Sequence, residues 1–292
     1  MIGELREAGL ISVTEYTGGL VGYLFSGSLY EAYEELDRAL VTVLTAGLPT
    51  TAHSAATLLD RSVLDRIGFF DKLPSIPFRA VPFPHQSDVP QDARDRLLLS
   101  PSTCYSTFQH IAGTPEAWQL RAFAARGRCH RFEPTRPGAT RLGAFDMREI
   151  VLVGDADEVV DRCDDLFNRG VELLRALGVE PTVETANDVF YGERSEVTRR
   201  VQRIMGVKRE VLIPGSDDIP VAVGSRNLHR SLFTGAFRIG PQDGTLALHS
   251  SCVAFGLERL VLTLLHQTPG HDPELLRKRI DRAVGPVSAG AL

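Results

Sequence analysis

Tryptophan occurs once, methionine three times and cysteine four times in 292 residues. Four scattered cysteines, Cys104, Cys129, Cys163 and Cys252, are too few for the disulfide framework of a small secreted domain. In a reducing compartment they are thiols or metal ligands. Long apolar runs are also missing: Leu40 to Leu48 and Leu260 to Leu265 fall far short of the roughly 20 residues that cross a bilayer. Met1 to Thr14 carries Glu4 and Glu7 and has no apolar core ending in a small-residue cleavage site, so a secretory signal is not expected and a cytoplasmic location is. Basic excess is absent as well, with 32 Lys and Arg against 37 Asp and Glu for a net charge of −5. That balance is a poor start for a nucleic-acid binder. What is present, 43% hydrophobic and 24% charged residues, is the balance of a globular chain long enough to bury a core.

Ser28-Leu-Tyr-Glu31 has the spacing of a capping box, and Leu36, Leu40, Val43 and Leu44 follow at helical intervals until Gly47, which predicts a helix over 29–46. A shorter helical pattern covers 57–69. A proline-rich linker over 74–90 brackets one strand, Leu97 to Ser100 reads as a buried strand, and a short helix begins after Pro101. Strand-like segments at 128–133 and 141–154 flank the turn-rich Pro134-Thr-Arg-Pro-Gly138 and predict a long antiparallel hairpin. Val159, Cys163, Leu166, Val171 and Leu174 place one buried stripe on a helix over 155–178, with Gly178 as its stop. The remainder predicts a helix near 193–205, strands near 207–213, 220–226, 233–239 and 245–249, and a closing helix over 252–267. Strands grouped between helices, with hairpin connections and no βαβ alternation, predict an α+β fold with an antiparallel sheet flanked by helices.

Two segments carry chemistry: Arg131-Phe-Glu133 followed by Arg141-x-x-x-Phe145-x-x-x-Glu149, and Phe255-Gly-Leu-Glu-Arg259. In this order, on a hairpin and at a sheet-to-helix junction, they resemble motifs 2 and 3 of the class II aminoacyl-tRNA synthetase catalytic core. Activation of a carboxylate by ATP builds negative charge at the α-phosphate and on the departing pyrophosphate, and fixed guanidinium groups complement both. The resemblance implies that Arg131 binds the α-phosphate and the reacting carboxylate, with Glu133 near the adenine amino group. It implies that Arg141 and Arg259 hold the β- and γ-phosphates, and that Phe145 and Arg259 sandwich the adenine. ATP and Mg²⁺ are the cofactors it calls for.

Cys104 in Pro101-Ser-Thr-Cys-Tyr105, Glu149 in Phe145-Asp-Met-Arg-Glu149, and Cys252 in His249-Ser-Ser-Cys-Val-Ala-Phe-Gly256 narrow the resemblance. These surroundings resemble the truncated, zinc-dependent seryl-type homologues known as amino acid:[carrier protein] ligases, whose separations of 45 and 103 residues between these positions are also met here. The resemblance implies a zinc ion held by Cys104, Glu149 and Cys252. Three ligands leave one tetrahedral position open for a substrate amino group, as in a catalytic site. Cys129 and Cys163, one in a hairpin strand and one on a buried helix stripe, read as core thiols. Asn187 and Asn227 are candidate substrate-pocket residues, with turn or cap roles equally open.

Only a short stretch precedes the first predicted helix, which leaves no room for the tRNA-gripping arm of ordinary seryl-tRNA synthetases. The resemblance supplies another acceptor, the phosphopantetheine thiol of a small acidic carrier protein, and glycine or alanine as the amino acid. Between Arg194 and Arg209 six basic residues face Glu196 alone. Arg199, Arg200 and Arg203 therefore form a candidate dock for the acidic partner. The resemblance covers 97–267 well. The divergent part, 1–96, keeps the motif 1 helix but has Leu48-Pro-Thr-Thr-Ala-His-Ser54 where a proline-containing strand is usual. Motif 1 builds the class II dimer, and the resemblance implies a homodimer. Asp146 stands where a basic or polar residue is expected. The whole chain reads as one catalytic domain. The alternatives are a stand-alone aminoacylating enzyme acting on tRNA or a small molecule, and a catalytically silent sensor.

Overall fold

A computed structural model describes the chain apart from residues 17, 72, 74, 82–95, 116–118, 133–141, 187–205, 217–218, 242, 244–245 and 290–292. In chain order the elements begin with α1 (Ile2–Glu7), the hairpin β1 (Ile11–Tyr16) and β2 (Leu20–Phe25), and α2 (Gly27–Leu44). Next come β3 (Thr50–Ser54), β4 (Leu58–Asp60), α3 (Arg61–Asp65), β5 (Leu97–Leu99) and α4 (Cys104–His110). The long hairpin β6 (Arg121–His130) and β7 (Ala144–Gly154) leads to α5 (Ala156–Ala176), β8 (Thr182–Thr185) and β9 (Lys208–Pro214). β10 (Pro220–Arg230), α6 (Leu232–Ala236), β11 (His249–Gly256), α7 (Leu257–His266) and α8 (Pro273–Ala289) complete the chain.

The run Ile150-Val-Leu-Val153 is buried on both sides, the mark of a central strand. It lies in β7, in the middle of a seven-stranded sheet ordered β3-β6-β7-β11-β10-β9-β8. Every neighbouring pair is antiparallel except β3 and β6, which run parallel. The sheet is thus antiparallel apart from one edge pair and is flanked by helices, the α+β arrangement expected. Alternate residues of each strand face opposite sides. Ile150, Leu152, Val253 and Phe255 pack with the buried stripes of α2, α5 and α7 on one side. Val151, Val153 and Cys252 pack with residues of α3, α4 and α6 on the other. Asp155 caps α5 by accepting from the Asp157 N–H at 3.0 Å, and the positive φ of Gly178 lies just beyond its end.

Phe255 is held between two glycines. A Cβ on Gly170 would stand 2.7 Å from its ring, and one on Gly224 2.5 Å from the ring and 3.0 Å from the Ala254 carbonyl oxygen. Gly224→Ala is therefore expected to destabilise the protein by about 1–3 kcal/mol through overpacking, measured by urea unfolding. An unchanged midpoint would mean that the ring has room to move.

Several sequence expectations need correction. Over 57–69 the chain forms strand β4 and the short α3 rather than one helix: Leu58 to Asp60 pairs with Leu97 to Leu99, and the Asp60 carboxylate caps α3 by accepting from the Ser62 N–H. Residues 233–239 are not a strand. Phe233 and Phe237, four apart, stack on Phe108 from α6 and its C-terminal end, and such spacing is helical. The closing helix starts at Leu257, because the preceding apolar run, Ser250 to Phe255, is a strand buried on both faces. The strand expected near 245–249 is displaced into it. The helix expected near 193–205, with Arg199, Arg200 and Arg203, lies outside the described residues, as do Glu133, Arg141 and Asn187. Among the described residues no helix is long and apolar enough to cross a membrane.

Candidate functional site

The period of two in β7 puts Phe145, Met147 and Glu149 on one face. Register extends that face sideways: Glu149 is opposite Ala254, and Cys252 is opposite Asn227, which is opposite Lys208. These side chains line one cavity of about 290 Å³, together with Ser102, Cys104, Arg131 and Arg259. All described residues proposed for zinc and ATP therefore meet at one place, although they come from β6–β7, α4, β11 and α7.

At the end of the cavity that carries the arginines, Arg131 follows directly on β6. Its Nε donates to the Pro101 carbonyl at 2.8 Å, and its guanidinium lies 5.4 Å from the centre of the Phe145 ring. Arg259 sits in the first turn of α7, and its Nη1 donates to the Ala222 carbonyl at 2.9 Å. Two guanidinium groups and one aromatic face on a common wall can bind a polyanion carrying a flat base.

At the other end, Cys104, Glu149 and Cys252 are all buried. Glu149 Oε1 accepts from the Ser102 hydroxyl at 2.8 Å, the Thr103 N–H at 2.9 Å and the Cys104 N–H at 3.3 Å, while Oε2 is buried without a hydrogen-bond partner among the described residues. The neighbouring Cys252 thiol acts to lower the pKa of Cys104, but burial and the Glu149 charge leave it above the ordinary thiol range. For Cys252 the neighbouring Cys104 thiol, burial and the Glu149 charge all push it well above that range. Among the described residues no three His, Cys, Asp or Glu side chains are placed to hold a metal ion as they stand. The donor set still suits zinc: two soft sulfurs and an unmatched carboxylate oxygen face one cavity, and a cation would relieve the burial of all three.

Cys129 is buried with Met147 and Ala254 beneath the cavity, and burial pushes its thiol up to about 12. Cys163, inside α5, is pushed up to about 11 by burial. Both are core thiols, as expected. Asp146 faces the helix side, where it accepts from the Tyr33 hydroxyl at 2.6 Å, Arg126 at 3.1 Å and Arg128 at 2.8 Å. Glu258, next to Arg259, takes Arg128 on one oxygen and the Asp146 N–H on the other at 2.7 and 2.8 Å. Burial is the main influence on Glu258 and raises its pKa to about 7. This pair ties the start of β7 to the turn that carries Arg259, and nothing in the linear spacing of Arg128, Asp146 and Glu258 pointed to it. His229, Ser102 and the Lys208–Glu210 ion pair at 3.2 Å also line the cavity and were missed. β10 shifts register between Leu228 and Arg230, so simple alternation from Asn227 did not place His229.

No protein-family model matches the chain. It is similar to two curated proteins of Bradyrhizobium diazoefficiens. Amino acid–[acyl-carrier-protein] ligase 2 is 35% identical over 184 residues, 61% of this chain and 53% of that protein. Amino acid–[acyl-carrier-protein] ligase 1 is 36% identical over 179 residues, 60% and 54% respectively. The matched region thus spans about half the length of these relatives. Among solved structures, the M. kandleri seryl-tRNA synthetase in complex with A. aeolicus tRNASec superposes with a TM-score of 0.76 at 19% identity, covering 96% of this chain and 59% of that one. The Pyrococcus horikoshii seryl-tRNA synthetase complexed with ATP gives 0.71 at 13%, covering 96% and 62%. The fold is that of the class II synthetase catalytic core.

Proposed function

We propose that the chain is an ATP-dependent ligase that activates a small amino acid, glycine or alanine, as its adenylate and transfers the aminoacyl group to the phosphopantetheine thiol of a small acidic carrier protein. The observation that carries this reading is the meeting of Arg131, Phe145 and Arg259 with Cys104, Glu149 and Cys252 in one cavity, together with the similarity to two ligases named for an acyl-carrier protein.

In the first step an oxygen of the amino acid carboxylate bonds to the α-phosphorus in line as the bond to pyrophosphate breaks. Arg131 neutralises charge at the α-phosphate, and Arg259 holds the outer phosphates. Phe145 and Arg259 flank the adenine, with Glu133 and Arg141 completing the set and Mg²⁺ accompanying ATP. Catalysis is then mainly positioning and charge stabilisation. Cys104, Glu149 and Cys252 would hold zinc, which supplies a Lewis-acid site that binds only an unprotonated amine and so selects a free α-amino acid. The buried residues around them fix the amino acid's orientation, with Asn227 close to its side chain. In the second step the carrier thiol bonds to the carbonyl carbon and AMP leaves. The helix α2 and the strand β3 in the motif 1 region support a homodimer.

Amino-acid-dependent exchange of pyrophosphate into ATP tests the first step, and a mass shift on carrier proteins, run beside tRNA charging, tests the second. Exchange with glycine or alanine followed by a carrier-protein adduct is the expected result. Charging of tRNA instead, or loss of exchange altogether, would replace this reading with an aminoacylating enzyme or a silent sensor.

The acidic partner is assigned to Arg199, Arg200 and Arg203. Of the six basic residues in the segment, Lys208 and Arg209 lie on β9. Lys208 pairs with Glu210 in the cavity wall, and Arg209 lies over the Phe167 ring, so the dock rests on Arg199, Arg200 and Arg203. Changing Arg199, Arg200 and Arg203 to Glu is expected to leave exchange nearly unchanged and to weaken transfer. Transfer by the unaltered protein should also weaken with salt, since exposed charges are screened over roughly 10 Å at 0.1 M. Normal transfer by the triple variant would place the dock elsewhere.

A further inference from the structure

Two N–H donors converge on one of the three proposed metal-holding side chains. The Asn227 amide nitrogen lies 3.4 Å from the Cys252 sulfur and also donates to the Ser225 hydroxyl at 3.1 Å. One amide NH₂ carries two hydrogens, so both contacts can be made at once. On the other side, His229 Nε2 stands 3.6 Å from the same sulfur. β10 shifts register between Leu228 and Arg230, which leaves His229 without a Cα partner on β11. A bulge of this kind re-aims a side chain. The ring is then held edge-on by Phe233, at 4.6 Å and 78° between planes, and by Phe108, at 5.7 Å and 81°. Its Nδ1 faces the Ser250 hydroxyl at 3.4 Å. The Ser250 hydroxyl also reaches the Arg230 carbonyl at 3.5 Å; in the tautomer whose Nδ1 accepts from Ser250, the ring proton stands on Nε2 and points at sulfur.

We propose that Asn227 and His229 are positioning residues that orient the Cys252 sulfur as a metal donor through a pair of N–H···S hydrogen bonds. The inference rests on the zinc reading above and goes beyond it. It assigns His229 a role, and it moves Asn227 from the substrate pocket to the support of a ligand. An N–H aimed at sulfur stabilises it in proportion to the negative charge it carries, so the two donors favour sulfur bound to a cation over a neutral thiol. Supports of this kind orient a ligand and tune its metal, and their loss typically costs about 10–100-fold in metal affinity. Glu149 is supported in the same way, by Ser102 and two backbone N–H groups on Oε1. Each of these two donors is thus held from the protein side while still facing the cavity.

The test uses the full chain loaded with Co²⁺ in the absence of amino acid and ATP, in four forms: unaltered, Asn227→Leu, His229→Phe and His229→Gln. Affinity is read by competition with a coloured chelator, and the sulfur-to-cobalt charge-transfer band is read in the near ultraviolet. The unaltered protein should bind about one Co²⁺ per chain, as expected of a single site. Asn227→Leu and His229→Phe should each bind about 10–100-fold more weakly with a displaced band, and His229→Gln, which keeps an N–H donor, should recover much of the loss. Near-ultraviolet circular dichroism of the metal-free forms identifies any variant that fails to fold, and the remaining positions then decide the matter. Equal affinity and an unmoved band in Asn227→Leu and His229→Phe would overturn this inference and leave the zinc reading standing. A glutamine variant as weak as phenylalanine would overturn the role of the His229 N–H. Failure of the unaltered protein to bind Co²⁺ or Zn²⁺ would overturn the zinc reading and this inference with it.

Discussion

Replacing Cys252 by serine is expected to lower bound zinc from about one per chain to a small fraction of that and to reduce pyrophosphate exchange to background. The hydroxyl is close in size to the thiol but is a harder, far less acidic donor, and zinc in such sites favours thiolate sulfur. Because Cys252 is buried opposite Asn227, the substitution should leave the fold largely intact, and unfolding of the metal-free variant checks this. Cys104→Ser should behave in the same way, and Glu149→Gln should lose metal without losing its contacts to Ser102 and Thr103. Elemental analysis showing no zinc in the unaltered protein, with full exchange in strong chelator, would remove the metal from the mechanism.

The second large effect is expected at Arg259. Its guanidinium lines the cavity and its Nη1 bond to the Ala222 carbonyl aims it from the first turn of α7. Arg259→Ala should lower the rate of adenylate formation by about 10²–10³, the usual cost of removing one donor that stabilises transition-state charge. Arg131→Ala should act similarly, since its guanidinium sits against Phe145 on the same wall. A merely structural arginine would instead show its loss in stability. Both variants are therefore to be compared with the unaltered protein by urea unfolding as well as by exchange. Near-normal exchange in a folded Arg259→Ala would mean that the nucleotide lies elsewhere.

The linear order of residues already determined much of this. The strand-like segment over 141–154 identified β7, and the helical spacing of Leu36, Leu40, Val43 and Leu44 identified α2. That Arg131 and Arg259 belong to one site was legible because the two motifs carry distinctive neighbours in a set order, and both line the same cavity. Boundaries failed where burial was two-sided: Ser250 to Phe255 is apolar all round, so periodicity could not separate a central strand from a helix, and Phe233 and Phe237 were read as β residues although their spacing is helical. Only tertiary structure decided which side of the sheet each residue serves. Register placed Asn227 opposite Cys252, a bulge turned His229 toward the same sulfur, and the opposite parity sent Asp146 to Tyr33, Arg126 and Arg128. These partners are separated by 18 residues (Arg128 to Asp146) to 113 residues (Tyr33 to Asp146), and no local pattern encodes a contact across such distances. Side-chain identity thus specified the chemistry available, while strand register and bulge geometry determined which groups could act together.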